Sequence, residues 1–217
     1  MFRTLALAAS WLFLAAGVVV ASVQFSSGPP AARTGAPLTG GVMAETDCSS
    51  CHSSTVNVPG GSVEILDLPA TYLPGQTYAV RVRLQSDATV ADPDRRWGFE
   101  ITAIRVNDGQ GAGTFLISTP DLQIKPGNAA GVFASRSYVE HTSTGTHTGE
   151  TSPVTWTFQW QAPATAAGSI LFCAAGNAAD GTGGTGNDHI YTTVLPVPID
   201  PTPIASTTWG RLKQRFR

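Results

Sequence analysis

The stretch Asp47-Cys48-Ser49-Ser50-Cys51-His52 gathers reactive side chains: it holds two of the chain's three cysteines and one of its four histidines. Two cysteines three positions apart, followed at once by histidine, have the spacing that covalent haem attachment requires. The thiols add to the two vinyl groups on one edge of the porphyrin, and the adjacent imidazole is then held against the ring as an iron ligand. Other chemistries use the same residue types. A structural zinc site needs four ligands, and no second Cys or His pair follows this one. A thioredoxin-like dithiol needs its motif at a helix N-terminus beside a βαβ pattern, whereas here a Gly/Pro leader precedes the motif and strand patterns follow it. A Cys48–Cys51 disulfide remains open but leaves His52 without a role. With Cys173 far away and the number of cysteines odd, a framework of structural disulfides is poorly supported.

The sixth iron position would fall to a second side chain. Beyond the initiator the chain has one methionine, Met43, which would have to loop around the ring edge from five residues before Cys48. The remaining histidines are His141 in SYVEHTSTG, at the end of a strand, His147 in the loop after it, and His189 in GNDHIY, opening the last strand. Each also reads as an ordinary hydrogen-bonded loop residue. Ligation by two histidines gives a lower potential than His/Met; an open sixth position would bind small molecules, as in a haem enzyme or gas sensor. The glycine-rich run AGNAADGTGGTGND lacks the strand-loop-helix setting of a phosphate site. Asp180 and Asp188 within it could bind calcium, although their spacing matches no EF-hand loop; a hairpin loop between two core strands is the alternative.

The elements that must hold these groups alternate with period 2. In TYAVRVRLQS, Tyr78, Val80, Val82 and Leu84 share one face while Arg81, Arg83 and Gln85 share the other, after a Pro74-Gly75 turn. In VTWTFQWQ, Trp156, Phe158 and Trp160 form an apolar face that reads as core. Comparable patterns predict strands at Ser62 to Leu68, Trp97 to Val106, Gly113 to Ser118, Arg136 to Glu140, Ser169 to Ala175 and Ile190 to Val197, with no helix in the body. About eight short strands joined by Gly, Pro, Asn and Asp loops predict an all-β, antiparallel β-sandwich of immunoglobulin-like kind, with a barrel as the alternative.

The ends differ from this body. Residues 1–22 carry Arg3 ahead of an apolar run from Leu5 to Val20 and then small residues, an export signal or an uncleaved N-terminal anchor. Residues 23–46 are small, polar and rich in Pro and Gly, and read as a flexible leader into a domain spanning 47–198. Residues 199–217 read as a Pro-rich spacer and a basic amphipathic tail, in which Trp209, Leu212 and Phe216 would share one side of a short helix and 209–217 would touch a membrane surface. A net charge of −2 and the lack of a basic groove argue against nucleic acid as a partner.

Across about Pro37 to Val197, the ordered set CSSCHSS, LPATYLPGQTYAVRVRL, WGFEITAI, GAGTF, YVEHTSTG, WTFQWQAP and ILFCAAGNAADGTGGTGNDHIYTT resembles the bacterial choice-of-anchor V domain proteins, relatives of the reeler domain. The resemblance implies an exported reeler-like sandwich in the periplasm or at the cell surface, with an N-terminal CxxCH element. In the family pattern the position matching His141 is commonly His and that matching His189 is often Tyr. Cys173 stands where an aromatic residue is common, implying a buried unpaired thiol. No reaction carries over from the family. The expected function is therefore a monohaem c-type electron carrier, not an enzyme: Cys48 and Cys51 as thioether attachments of one covalent haem c, His52 as proximal ligand and His141 as distal candidate. Its partner would be a redox protein of unknown identity, with self-association also open. The alternative is a surface interaction or adhesion module whose haem is absent or structural.

Overall fold

The computed structural model describes residues 25–87, 94–128 and 131–201; the expected signal or anchor and the amphipathic tail lie outside the described residues. Nine strands follow in chain order: β1 Gly61–Leu66, β2 Thr77–Ser86, β3 Arg96–Arg105, β4 Thr114–Leu116, β5 Leu122–Pro126, β6 Ser137–His141, β7 Val154–Gln161, β8 Ile170–Ala179 and β9 His189–Val197. They form two sheets, ordered β1-β2-β7-β4 and β5-β6-β3-β8-β9. Every pairing within them is antiparallel. The chain is thus an all-β antiparallel sandwich, as the alternation predicts.

The core lies between the sheets. The inward faces of β2 and β7 bring Val80, Val82, Leu84, Trp156, Phe158 and Trp160 against Trp97, Phe99, Ile101 and Phe172 of the second sheet. Phe99 stacks on Trp156 at 4.4 Å between centroids, and Trp160 meets Phe172 and Tyr72 edge-on. The Trp160 indole N–H donates to the Ala112 carbonyl at 2.9 Å, so this fully buried ring keeps a polar partner.

Two departures from the sequence reading matter for the site. Strand β5, LQIKP, escapes the pattern because it is short, carries Lys125 and ends on Pro126, as an edge strand can. Residues 25–46, expected as a flexible leader, instead lie along the outer face of the five-stranded sheet. Thr34, Ala36 and Glu45 are buried there, and Glu45 accepts from Arg136 and from the Tyr138 hydroxyl. The leader's Gly and Pro content reads as flexible only because a buried ion pair 91 residues apart in sequence leaves no local signature. Covering this face explains why β3 and β8 lack the clean alternation of β7: their outward residues Glu100, Thr102 and Asn177 are buried as well. The Pro-rich spacer begins by pairing: Ile199 bridges to Tyr72, and the Asp200 N–H donates to the Tyr72 carbonyl at 2.8 Å.

Candidate functional site

The CSSCH element is a single tight turn. Asp47 caps it, its carboxylate accepting from the Ser49 N–H at 2.7 Å. The N–H groups of Cys51 and His52 both donate to the Cys48 carbonyl, at 3.2 and 3.0 Å. Capping by Asp fits the preference for side chains that accept from orphan backbone donors. The chain then runs along the outer edge of β9: Val56 bridges to Ile190, and the Asn57 N–H donates to the Ile190 carbonyl at 2.8 Å. The turn is therefore fastened to a sheet edge that would otherwise stand open.

A cavity of about 330 Å³ opens between this turn, the leader, the start of β3 and the β8–β9 loop. Its lining brings together Cys48, Cys51, His52 and His141 with Trp97, Gly98 and Phe99. Among the histidines that sequence spacing offered for the second position, His141 is the one on the lining. His147 packs edge-on against Trp156 and pairs with Glu150, and His189 meets Ser86 and Tyr191. Met43 is 57% exposed and is not part of the lining.

Both lining histidines are held by one ring nitrogen. The His52 Nδ1 donates to the buried Asp188 carboxylate, with the Asn177 amide 3.2 Å away. The His141 Nδ1 lies 3.1 Å from the Phe99 N–H and 3.3 Å from its carbonyl. Among the described residues neither Nε2 has a hydrogen-bond partner. A carboxylate on Nδ1 fixes the tautomer that leaves Nε2 as a lone pair and makes that imidazole a stronger donor to a metal. Burial, followed by neighbouring cationic groups, holds the His141 pKa down at about 4, so the ring is neutral, as a ligand must be.

Gly98 is shaped to His141. A Cβ at this position would lie 2.6 Å from Cε1 and 3.1 Å from Nε2 of the ring. Only glycine lets the imidazole pass so close to β3. Cys48 and Cys51 are free thiols, half-buried and exposed respectively. Burial, and after it the Glu100 carboxyl, push the Cys48 thiol up to about 12.

These observations fit a haem. Two thiols sit at one side of a largely apolar-walled cavity of ligand size, and two imidazoles offer free nitrogens to it. Among the described residues no three His, Cys, Asp or Glu side chains converge as they would around a bare ion. The attachment points of a macrocycle are spread over its rim and two faces, so no such convergence is required. Asp180 caps Thr182, accepting from its N–H at 2.9 Å, and Asp188 is engaged with His52, so the calcium reading finds no free carboxylate pair. Cys173 is buried and unpaired beside Ala36 and Ile104.

Gly98 and the leader residue Arg33 enter the site without a warning in the sequence, and Asp188, read there as a calcium candidate, enters in another role. Asp188 stands 136 residues from His52, and nothing in the motif points to it. The run AGNAADGTGGTGND is the hairpin loop between β8 and β9, and its second function is to carry this carboxylate and wall the cavity with glycines.

No protein-family model and no curated protein matches the chain. Solved structures align with it over about two thirds of the chain. The Reelin-N domain of F-spondin aligns with a TM-score of 0.43 at 18% identity, over 70% of this chain and 95% of that one. The human F-spondin reeler domain (fragment 1) gives 0.42 at 19%, over 68% and 94%. AggA, the major subunit of aggregative adherence fimbriae type I from Escherichia coli, gives 0.34 at 8%, over 68% and 100%. At these identities and scores the likeness concerns the arrangement of strands and carries no function.

Proposed function

We propose that this chain is an exported c-type cytochrome domain of the choice-of-anchor V kind that carries single electrons at the cell envelope. The observation that supports it is the shared cavity of Cys48, Cys51, His52 and His141, with the His52 Nδ1 against Asp188 and the His141 Nδ1 against the Phe99 carbonyl, a contact that, made by Nδ1–H, leaves the Nε2 lone pair for a ligand. Bound there through two thioethers, a haem would supply a reversible one-electron iron couple. His52, oriented by Asp188, would be the proximal ligand, and His141, oriented by Phe99, the distal one. Ligation by two imidazoles would suit a low potential. The leader and the β8–β9 loop wall the cavity and would shield a bound group from water, while the exposed Cys51 marks the side from which a partner could exchange electrons. Export, expected from residues 1–22, agrees with haem attachment outside the cytoplasm.

The test is the absorption spectrum of protein expressed with haem-maturation machinery. The reading requires a sharp reduced α band of c type and a low-spin spectrum that carbon monoxide leaves unchanged. Lack of the band leaves the second reading, a surface interaction module, which the arrangement of strands alone permits. A c-type band that carbon monoxide shifts would mean an open sixth position and a sensor or enzyme.

A further inference from the structure

Two arginines of the cavity lining are not used by the ligands or the attachments: Arg33 on the leader and Arg96 at the start of β3. The Arg33 Nη1 donates to the Ala32 carbonyl at 3.0 Å and to that of Ala31 at 3.5 Å, while its Nε is buried with no partner. The buried Glu100 carboxyl accepts from the Arg33 main-chain N–H, and among the described residues no hydrogen bond joins it to the guanidinium. Arg96 is exposed, and among the described residues no side chain pairs with it. Asp94 also lines the cavity and Arg95 lies over the Trp97 ring, so the lining carries two guanidinium groups against one carboxylate. A buried donor without a partner is uncommon in a finished site and points to an acceptor that arrives with a ligand.

We propose that Arg33 and Arg96 bind the acidic side groups of the cavity's ligand; resting on the haem reading above, these are the two propionates. A guanidinium presents a planar fork of N–H donors that matches a carboxylate, which a lysine ammonium does not. The same pairing sets orientation. Thioethers to Cys48 and Cys51 would hold the group covalently, and ion pairs to Arg33 and Arg96 would add a second hold on its orientation. It also tunes the iron: a cation nearby disfavours the ferric state, and removing it lowers the midpoint potential.

The experiment compares Arg33→Gln, Arg96→Gln and the double variant with the Lys substitutions and with Arg81→Gln, a control whose residue pairs with Asp67 on the outer face of β2. Haem-loaded proteins are read by potentiometric titration at fixed pH and by the propionate bending band in the resonance Raman spectrum. Each Gln variant should keep the c-type α band, shift the propionate band, and lower the ferrous-to-ferric ratio at a given potential about threefold to tenfold, a tenfold change being 59 mV for one electron. Lys should restore the ratio but not the band. Arg81→Gln should change neither. A double variant with an unmoved Raman band overturns the proposal, even if its potential drifts. Should Arg33→Gln fail to fold, Arg96→Gln at its exposed position decides alone, an unmoved band again refuting its part. If wild-type protein takes up no covalent haem, the function proposed above fails first and this assignment falls with it.

Discussion

Replacing Gly98 by alanine probes the distal ligand without touching either imidazole or either thiol. The added Cβ would sit 2.6 Å from Cε1 of His141, against about 3.4 Å for ordinary contact. The difference, 3.4 minus 2.6, asks for a movement of about 0.8 Å. Trp97 and Phe99, the neighbours of Gly98, are each 1% exposed, so β3 is fixed and the ring must give way. A metal–nitrogen bond is about 2 Å long and does not survive a displacement of that size. The haem-loaded variant should therefore lose its low-spin character in the reduced state and bind carbon monoxide, as should His141→Leu. In the haem-free protein the same overpacking should cost about 1–3 kcal/mol in denaturant titrations. A Gly98→Ala protein that stays low-spin, ignores carbon monoxide and loses no stability would refute the placement of His141.

Further perturbations reach other parts of the account. Asp188→Asn keeps the shape but weakens the bond to His52 Nδ1; a less basic imidazole favours ferrous iron, so redox titration should give a ferrous-to-ferric ratio roughly threefold to tenfold higher, about 59 mV per tenfold. Trp160→Ala removes a fully buried ring at the centre of the sandwich and should cost about 3–5 kcal/mol in chemical denaturation. Glu100 and Glu140 are both fully buried beneath the leader, and burial first of all raises both pKa values, that of Glu140 to about 7. Their folded values lie above the unfolded ones, so the folded state holds more protons and stability falls as pH rises past the ordinary carboxyl range. For Glu140 the gap from 4.5 to about 7 corresponds to at most about 3 kcal/mol. His141, with its folded value depressed to about 4, acts in the opposite sense below pH 6.5. Two carboxyls act against one imidazole, so the melting temperature should drop between pH 4.5 and 7, and Glu100→Gln should flatten that drop; a wild-type melting temperature that climbs over this interval contradicts the burial argument.

The legible part of this molecule is the part whose rules are local. The alternation in β2 and β7 gave their bounds to the residue, because each strand has one wet face and one buried face. The CSSCH turn was legible because covalent chemistry fixes its spacing. What escaped depends on distant partners. Residues 25–46 read as a loose leader, since the sequence does not announce that Glu45 meets Arg136 under cover. Once that layer is in place, β3 and β8 have two buried faces and their period-2 signal fades. His141 was separable from His147 and His189 only by family resemblance; the structure separates them by the cavity they do or do not line. The role of Asp188 was hidden inside a glycine-rich loop that invited a calcium reading, because hydrogen bonding across the sandwich has no sequence period.

Every role assigned to this cavity depends on covalent haem at Cys48 and Cys51. The most direct measurement is the mass of the purified protein after acid and organic-solvent extraction, following expression with haem-maturation machinery that loads a known c-type cytochrome in parallel. The mass should be increased by one haem, with the addition carried by the peptide containing Cys48 and Cys51 and lost when both are replaced by alanine. A chain of unmodified mass, from cells whose control cytochrome is fully loaded, would contradict it.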